Sequence, residues 1–393
     1  MPTIEPVVQP GTAVAPARRK PGPERPADVS DLGARRERSS RIRLDAGSRR
    51  VTVTTLTPVR SEERHVRQTV AALQAQDIAD EAEFIFIVAP SNDRTRAILS
   101  ELAAEDARIR ILDNPRGQTA AALNIGLRAA RGEYVARIDG HARYPAHYLS
   151  RAIERLQRGG VDWVAGPQIP VGTDTWSRRV ATVLHTRLAT GASGRWDRDM
   201  ADRGGGEIEL GTGVFTGVWR RATLERDAGW DEGWPVNQDS EMAARVLRRG
   251  GRIVSLPELG AEYTPRNSLP ALARQYRRYG MYRAKTTLRH PWTLRTPHVA
   301  LPGVVMAAAV ALLAPRPFRR TARAVLAGYC GAVVTESSRA AEDARDALGL
   351  SMVFVTMHAS WGGGFLVGLG RFALPSGRRA ALASDLRERG SEG

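Results

Sequence analysis

Apolar residues in this chain come first in short solid runs and then in helical spacings. Residues 51–56, Val51-Thr52-Val53-Thr54-Thr55-Leu56, are β-branched and strand-like, and Pro58 ends the run. Val66, Val70 and Leu73 then recur at helical spacing across 62–74. Phe84-Ile85-Phe86-Ile87-Val88 is apolar throughout, as a strand buried on both faces must be. A turn at 90–95 opens a helix carrying Ile98 and Leu102, and a third strand is expected over 109–112. Asn114-Pro115-Arg116-Gly117 turns the chain into an alanine-rich helix over 119–130, which Arg131-Gly132 stops before a strand over 134–138. The alternation β-α-β-α-β-α-β predicts a parallel sheet with right-handed crossovers.

Beyond that strand, helices are expected over 146–158, 176–189, 220–226, 242–249 and 268–287. Strands are expected over 161–166 and 252–256, with an extended stretch over 209–218. Residues 190–207 are rich in Gly, Asp and Arg and predict a mobile loop. The last hundred residues change character. Residues 299–314 and 350–370 carry no charge, and 324–335 is a weaker apolar stretch. A spanning helix needs about 20 apolar residues. The first segment is marginal, the second is long enough but glycine-rich, and the third is too short. Arg316, Arg319, Arg320, Arg323 and Arg371 flank them. The pattern predicts membrane attachment through short spans or re-entrant helices; a buried helical subdomain is the other reading.

Composition sharpens this picture. The net charge is +16, and lysine occurs only at Lys20 and Lys285, so the excess is arginine. Arginine in excess suits phosphate-bearing ligands, nucleic acid or an anionic membrane surface. A single cysteine, Cys330, rules out an internal disulfide and a Cys-rich zinc site. Residues 1–50 are rich in Pro and Arg and poor in apolar clusters, which predicts a disordered tail. No apolar signal core lies within Met1 to Pro10, so the chain is expected to begin in the cytoplasm.

Candidate chemistry gathers at strand and helix ends. Asp139-Gly140-His141 closes the fourth strand. Taken alone it reads first as a turn-forming pair, and second as a place for a metal or a phosphate at the carboxyl end of a strand. Asp239, before Ser-Glu-Met, reads as a helix cap, and Glu241 as a first-turn acid facing the helix dipole. Arg278 reads as a solvated residue of a basic helix. Trp230 and Trp234 both precede Asp239 and read as core or as stacking platforms. His185, His290 and His358 show no metal-ligand spacing and read as structural. Neither Gly-x-Gly-x-x-Gly after the first strand nor a Gly-Lys-Ser/Thr P-loop occurs, which argues against a dinucleotide fold and an ordinary NTPase.

Pro58-Val59-Arg60-Ser61-Glu62, Ser91-Asn92-Asp93-Arg94-Thr95, Asn124, Asp139-Gly140-His141 and Gln238-Asp239-Ser240-Glu241 stand in an order and spacing that resemble the family 2 glycosyltransferases. The chain looks most like those of the succinoglycan and exopolysaccharide type. The resemblance covers residues 50–285 and extends to Thr356-Met357-His358-Ala359-Ser360-Trp361-Gly362. It implies the GT-A fold, an α/β nucleotide-diphospho-sugar transferase fold with a Rossmann-like, mostly parallel sheet, over 51–290. An apolar helical, membrane-associated region and a polar C-terminus then occupy 291–393.

By the same resemblance, Pro58, Glu62, Asp93, Asn124, Asp139 and Arg278 bind the nucleotide sugar, and Asp239 is the general base. Trp234 and Glu241 bind the acceptor. Asp139 and His141 hold a divalent cation, Mn2+ or Mg2+, although His141 stands where the family's second metal acid usually is. Gln238 replaces the glutamate before the base. Tyr279 replaces the tryptophan of the processive pattern begun by Gln275 and Arg278, which implies transfer of a single sugar. The implied activity is inverting transfer from a nucleotide-diphosphate sugar to a polysaccharide or lipid-linked acceptor, at the cytoplasmic face of the cell membrane and with no nucleic-acid partner. An inactive nucleotide-sugar-binding homologue and a nucleic-acid-binding protein are the alternatives. A nucleotidyltransferase is disfavoured, because the 58–62 loop lacks its glycines.

Overall fold

The computed structural model describes residues 51–190 and 206–373. The expected tail over 1–50, most of the loop over 190–207 and the polar C-terminus lie outside the described residues.

The first half alternates as its apolar runs predict. Strands β1 (Val53–Val59), β2 (Ala82–Val88), β3 (Ile109–Asp113) and β4 (Tyr134–Arg137) are joined by helices α1 (Val66–Gln74), α2 (Thr95–Glu105) and α3 (Thr119–Ala129). Strand β1 pairs in parallel with both β2 and β4, and β2 with β3. After a short β5 (Ala142–Arg143) come α4 (Tyr148–Gln157), β6 (Trp163–Ala165), β7 (Gln168–Pro170), α5 (Thr175–Leu184) and α6 (Arg187–Thr190). Then follow β8 (Ile208–Glu209), β9 (Gly217–Arg220), α7 (Arg221–Arg226), α8 (Gln238–Arg248), β10 (Ile253–Ser255) and β11 (Ala261–Tyr263). The main sheet runs β3-β2-β1-β4-β9-β6-β10-β8, with β9 antiparallel between β4 and β6; β5, β11 and β7 form a second, small sheet.

Period-two alternation divides β2 between two cores. Phe84, Phe86 and Val88 meet Val66, Val70, Leu99, Tyr148 and Ile153 on one face. Ile85 and Ile87 meet Leu123, Leu127, Met242 and Val246 on the other. Helices thus cover both faces of the sheet, and the loops at the carboxyl ends of β1, β2 and β4 open on one edge.

The C-terminal helices are α9 (Leu269–Arg289), α10 (Thr296–Leu313), α11 (Arg316–Ala340) and α12 (Ala344–Ala373). Glycine explains how α12 packs. A Cβ on Gly280 of α9 would lie 2.0 Å from the carbonyl oxygen of Trp361. One on Gly364 or Gly368 of α12 would lie 2.2 Å from Arg277 O or 2.4 Å from Met281 O. Backbones this close admit no side chain between them. The glycine-rich stretch is therefore a helix–helix seam. Val180, Val183 and Leu184 of α5, Leu272 of α9 and Leu350, Val353, Phe354 and Met357 of α12 share one core. Residues of α12 are thereby joined to the α/β layers. Helix α10 differs, with only 6% of its apolar window buried.

Candidate active site

The loop after β1 carries Arg60, Ser61 and Glu62, and Ser61 takes a left-handed backbone with φ of 56°. Asp93 and Thr95 stitch this loop to the one after β2. Thr95 Oγ1 accepts from the Glu62 N–H at 2.8 Å, and Asp93 Oδ2 accepts from the Glu63 N–H at 3.1 Å. Asp93 also accepts from Ser91 Oγ, Thr95 Oγ1 and the Thr95 N–H. Burial pushes this carboxyl up, but the hydrogen bonds outweigh it and hold Asp93 below the usual carboxylate range. Its oxygens are thus used by the protein, and Asp93 shapes the loop without lining the cavity described below. Pro58 lies within β1 and does not line it either.

Strand β4 delivers Arg137 and then Asp139. Arg137 is 5% exposed. Its guanidinium grips Asp139 with both arms, Nε to Oδ1 at 2.9 Å and Nη2 to Oδ2 at 3.1 Å. Burial pulls the Arg137 pKa down, but Asp139 and Asp239 more than offset it and push it above the ordinary value. The Asp139 N–H donates to Tyr144 Oη at 3.0 Å, and Thr69 Oγ1 donates to the Gly140 carbonyl at 2.6 Å, so the whole turn is pinned. His141 is exposed, with Nδ1 3.5 Å from Glu62 Oε1. The Glu62 carboxylate draws its pKa above the ordinary imidazole value.

Asp239 is the second residue of α8, and Asn237 is the cap, in a left-handed backbone with φ of 60°. Asp239 is thus inside the helix, one turn earlier than the spacing predicts. Asn237 Nδ2 donates to the Tyr279 carbonyl at 2.9 Å, tying this turn to α9. Gly213 lets another segment cross beneath it, since a Cβ there would lie 2.3 Å from Asp239 O.

One cavity of about 1850 Å³ gathers Arg60, Glu62, Arg137, Asp139, His141, Asp239 and Arg278. It continues past Asp239 to Leu301 and Val304 of α10 and to Met357, His358 and Trp361 of α12. A volume well above the about 300–1000 Å³ of a usual single-ligand pocket leaves room for two reactants.

Three expected ligands lie outside the cavity, with their side chains engaged by the protein. Asn124 exchanges hydrogen bonds with Trp230, Nδ2 to the carbonyl at 2.8 Å and the N–H to Oδ1 at 2.9 Å. Trp234 is 4% exposed, and its Nε1 donates to Thr286 Oγ1 at 2.9 Å while the Lys285 Nζ lies 4.3 Å above its ring. Glu241 has no exposure; Arg245 Nε and His290 Nε2 hold its carboxylate at 3.0 and 3.3 Å. Buried polar groups with internal partners have little left for a sugar. Trp230 packs in the core, edge-on to Trp219.

Sequence reasoning missed Arg137, Tyr144 and Asn237. For Arg137 a signal was present: it stands two residues before Asp139, on the same side of the strand.

Asp139 and His141 face the cavity, and among the described residues no three His, Cys, Asp or Glu side chains form a closed metal cluster. A sparse donor set of this kind fits a cation that completes its shell with substrate phosphates and water.

Residues 54–225 match the family model for glycosyl transferase family 2. The succinoglycan biosynthesis protein ExoA of Rhizobium meliloti is 30% identical over 242 residues, which is 59% of this chain and 69% of that protein. A dolichyl N-acetyl-alpha-D-glucosaminyl phosphate 3-beta-D-2,3-diacetamido-2,3-dideoxy-beta-D-glucuronosyltransferase of Methanococcus voltae is 23% identical over 239 residues, 58% of this chain and 71% of that protein. Among solved structures, the mannosyltransferase PcManGT of Pyrobaculum calidifontis, in complex with GDP-Man and Mn2+, is 20% identical. The match covers 84% of this chain and 93% of that one, with a TM-score of 0.48. Identity at the level of the Rhizobium protein, over that much of its length and on a GT-A α/β sheet, means that the chain belongs to glycosyl transferase family 2 and is a glycosyltransferase.

Proposed function

We propose that this glycosyltransferase inverts configuration as it moves a sugar from a nucleotide-diphosphate sugar to a saccharide acceptor, with Asp239 as general base. The observation that carries the reading is the single cavity holding Asp139 at the end of β4 and Asp239 at the start of α8, with arginines around them. Arg60 and Arg278 supply positive charge for the donor's diphosphate, and Glu62 lies in the same wall. Asp139 and His141 would hold a divalent cation, Mn2+ or Mg2+, whose charge offsets that of the departing diphosphate. Asp239 takes the proton from the acceptor hydroxyl as its oxygen bonds to the anomeric carbon and the bond from that carbon to the diphosphate breaks. One displacement inverts the anomeric centre.

The acceptor occupies the part of the cavity beyond Asp239. A polysaccharide end or a lipid-linked saccharide meets the requirement, and the apolar far wall, with Leu301, Val304 and Met357, favours the lipid-linked form. The ExoA relative is a succinoglycan biosynthesis protein, and exopolysaccharide assembly is the proposed setting. Helix α10 presents apolar side chains to the outside, and Arg316, Arg319, Arg320 and Arg323 follow it, as suits attachment to the cytoplasmic face of a membrane.

The test is a melting-temperature titration of the detergent-purified protein with UDP, GDP, CDP and TDP, with and without Mn2+. A ligand bound only by the folded state raises the melting temperature. A metal-dependent rise for one nucleotide, lost in Asp139→Ala, is expected. No rise with any of the four in folded protein would overturn the donor site.

A further inference from the structure

Arg137 is a buried charge in the cavity wall that the proposed chemistry leaves without a role. It is 5% exposed, both its Nε and Nη2 are committed to Asp139, and it lines the same cavity. The carboxylate it holds is the one placed to receive a cation. Guanidinium and cation are both positive, and both would draw on the two oxygens of one side chain. Asp139 itself is only 18% exposed at its side chain, so the repulsion between a bound cation and Arg137 is weakly screened by water.

Resting on the donor-site reading above, we propose that Arg137 is a positioning residue that reserves Asp139. In the donor-free enzyme it satisfies this carboxylate and keeps a divalent cation from binding alone. When the nucleotide diphosphate arrives, its negative charge changes the balance. Asp139 can then share with the cation, while Arg137, with five N–H donors and two on Asp139, has others for the phosphate oxygens. Cation and nucleotide therefore bind as a pair, each tightening the other by the same factor. Tyr144 holds the Asp139 backbone in place while the side chain changes partner. The arrangement keeps the Asp139 carboxylate partnered at every stage, which a partly buried charge requires.

The experiment follows Mn2+ by the loss of its free-ion electron paramagnetic resonance signal. The folded full chain is titrated alone and with UDP, GDP, CDP or TDP. The wild type is expected to take up Mn2+ weakly alone and about 100-fold more tightly with its nucleotide. Arg137→Gln is expected to raise nucleotide-free Mn2+ affinity by about tenfold and to shrink the nucleotide effect correspondingly. Arg137→Lys, which keeps the charge without the two-armed grip, should fall between. Equal Mn2+ affinity with and without nucleotide in the wild type overturns the proposal without any variant. So does a folded Arg137→Gln or Arg137→Lys with unchanged Mn2+ affinity and coupling. If the wild type binds neither Mn2+ nor any nucleotide, the donor-site reading fails and this inference falls with it. If it binds the pair and the variants behave like wild type, only this inference fails.

Discussion

Asn124 and Trp230 lie 106 positions apart and exchange two hydrogen bonds, the Asn124 amide donating at 2.8 Å and the Trp230 N–H donating back at 2.9 Å. The same amide reaches Glu232 Oε1 at 3.0 Å, and Gly229, in a left-handed backbone with φ of 63°, makes room for it. A side chain on α3 therefore fixes the loop that leads into α8 and Asp239. Asn124→Ala leaves the Trp230 N–H and carbonyl without this partner, at a cost of about 1–3 kcal/mol. The expected result is a lower melting temperature and a lower kcat, with nucleotide affinity close to wild type. A selective loss of nucleotide affinity would instead return Asn124 to the donor site.

Asp239→Asn keeps the shape of the base and removes its ability to accept a proton. Loss of a positioned general base costs about 100- to 10,000-fold in kcat. Nucleotide binding, followed by melting temperature, should be unchanged because Asn237, which caps α8, and Gly213 beneath it are untouched. Turnover at the wild-type rate would remove Asp239 from the chemistry. A wild type that binds nucleotide without transferring sugar would instead point to an inactive homologue.

The sheet was legible because its strands are solid apolar runs: Phe84 to Val88 could be little else, and the helices between runs have helical spacing and turn residues at their ends. The acids after β4 and at the start of α8 stand out in the sequence because they belong to short motifs, and the structure brings both to one cavity. Such motifs do not say which side of a wall a residue faces, and Asn124, Trp234 and Glu241 lie outside the cavity. Glu241 sits two residues after Asp239, yet on a helix that spacing carries it into the interior, to Arg245 and His290. Arg137 was overlooked because a charged residue in an apolar strand has meaning only once its burial is known. The glycines of α12 stand out in the sequence, but that they form a seam is visible only once α9 is placed against them.

The α9–α12 seam predicts an unusual intolerance at Gly364. A Cβ there would lie 2.2 Å from the carbonyl oxygen of Arg277, so even alanine must push two helix backbones apart. Gly364→Leu should cost at least the upper end of the about 1–3 kcal/mol typical of overpacking. Gly363, one residue away, has nothing within 4 Å of its Cβ position. Gly363→Leu is therefore the control, and thermal unfolding of the two variants should differ sharply. Equal melting temperatures would mean that the seam is absent.

Acid should weaken the fold partly through Asp106. Arg108 grips its carboxylate, Nε to Oδ1 at 2.9 Å and Nη2 to Oδ2 at 2.7 Å, and Gln74 donates to it at 2.8 Å. The hydrogen bonds from Arg108 hold the carboxyl far below its usual 3.8. A carboxyl depressed in the folded state contributes stability that is complete above its unfolded value and lost as pH falls from there toward the folded one. Asp106→Asn should therefore lower the melting temperature at pH 7 and have progressively less effect below pH of about 4. A pH-independent difference between variant and wild type would show that the contribution comes from packing.

The outer face of α10 and the start of α11 tests membrane attachment without disturbing the core. Leu312 is 75% exposed, Leu313 83% and Phe318 64%, so aspartate at these positions removes apolar surface with little loss of internal packing. Transferring each such side chain from water into lipid contributes about 1.5–3 kcal/mol. Arg316, Arg319, Arg320 and Arg323 lie in the same stretch, where anionic head groups would meet them. The wild type should co-sediment with vesicles containing phosphatidylserine, less with purely zwitterionic vesicles, and less still at high salt. The triple variant Leu312→Asp, Leu313→Asp, Phe318→Asp should stay in the supernatant with both, with a melting temperature near wild type. If it sediments as the wild type does, lipid does not hold the chain through this face. The chain would then meet the membrane through another surface, with the second apolar helix, α12, the next to test.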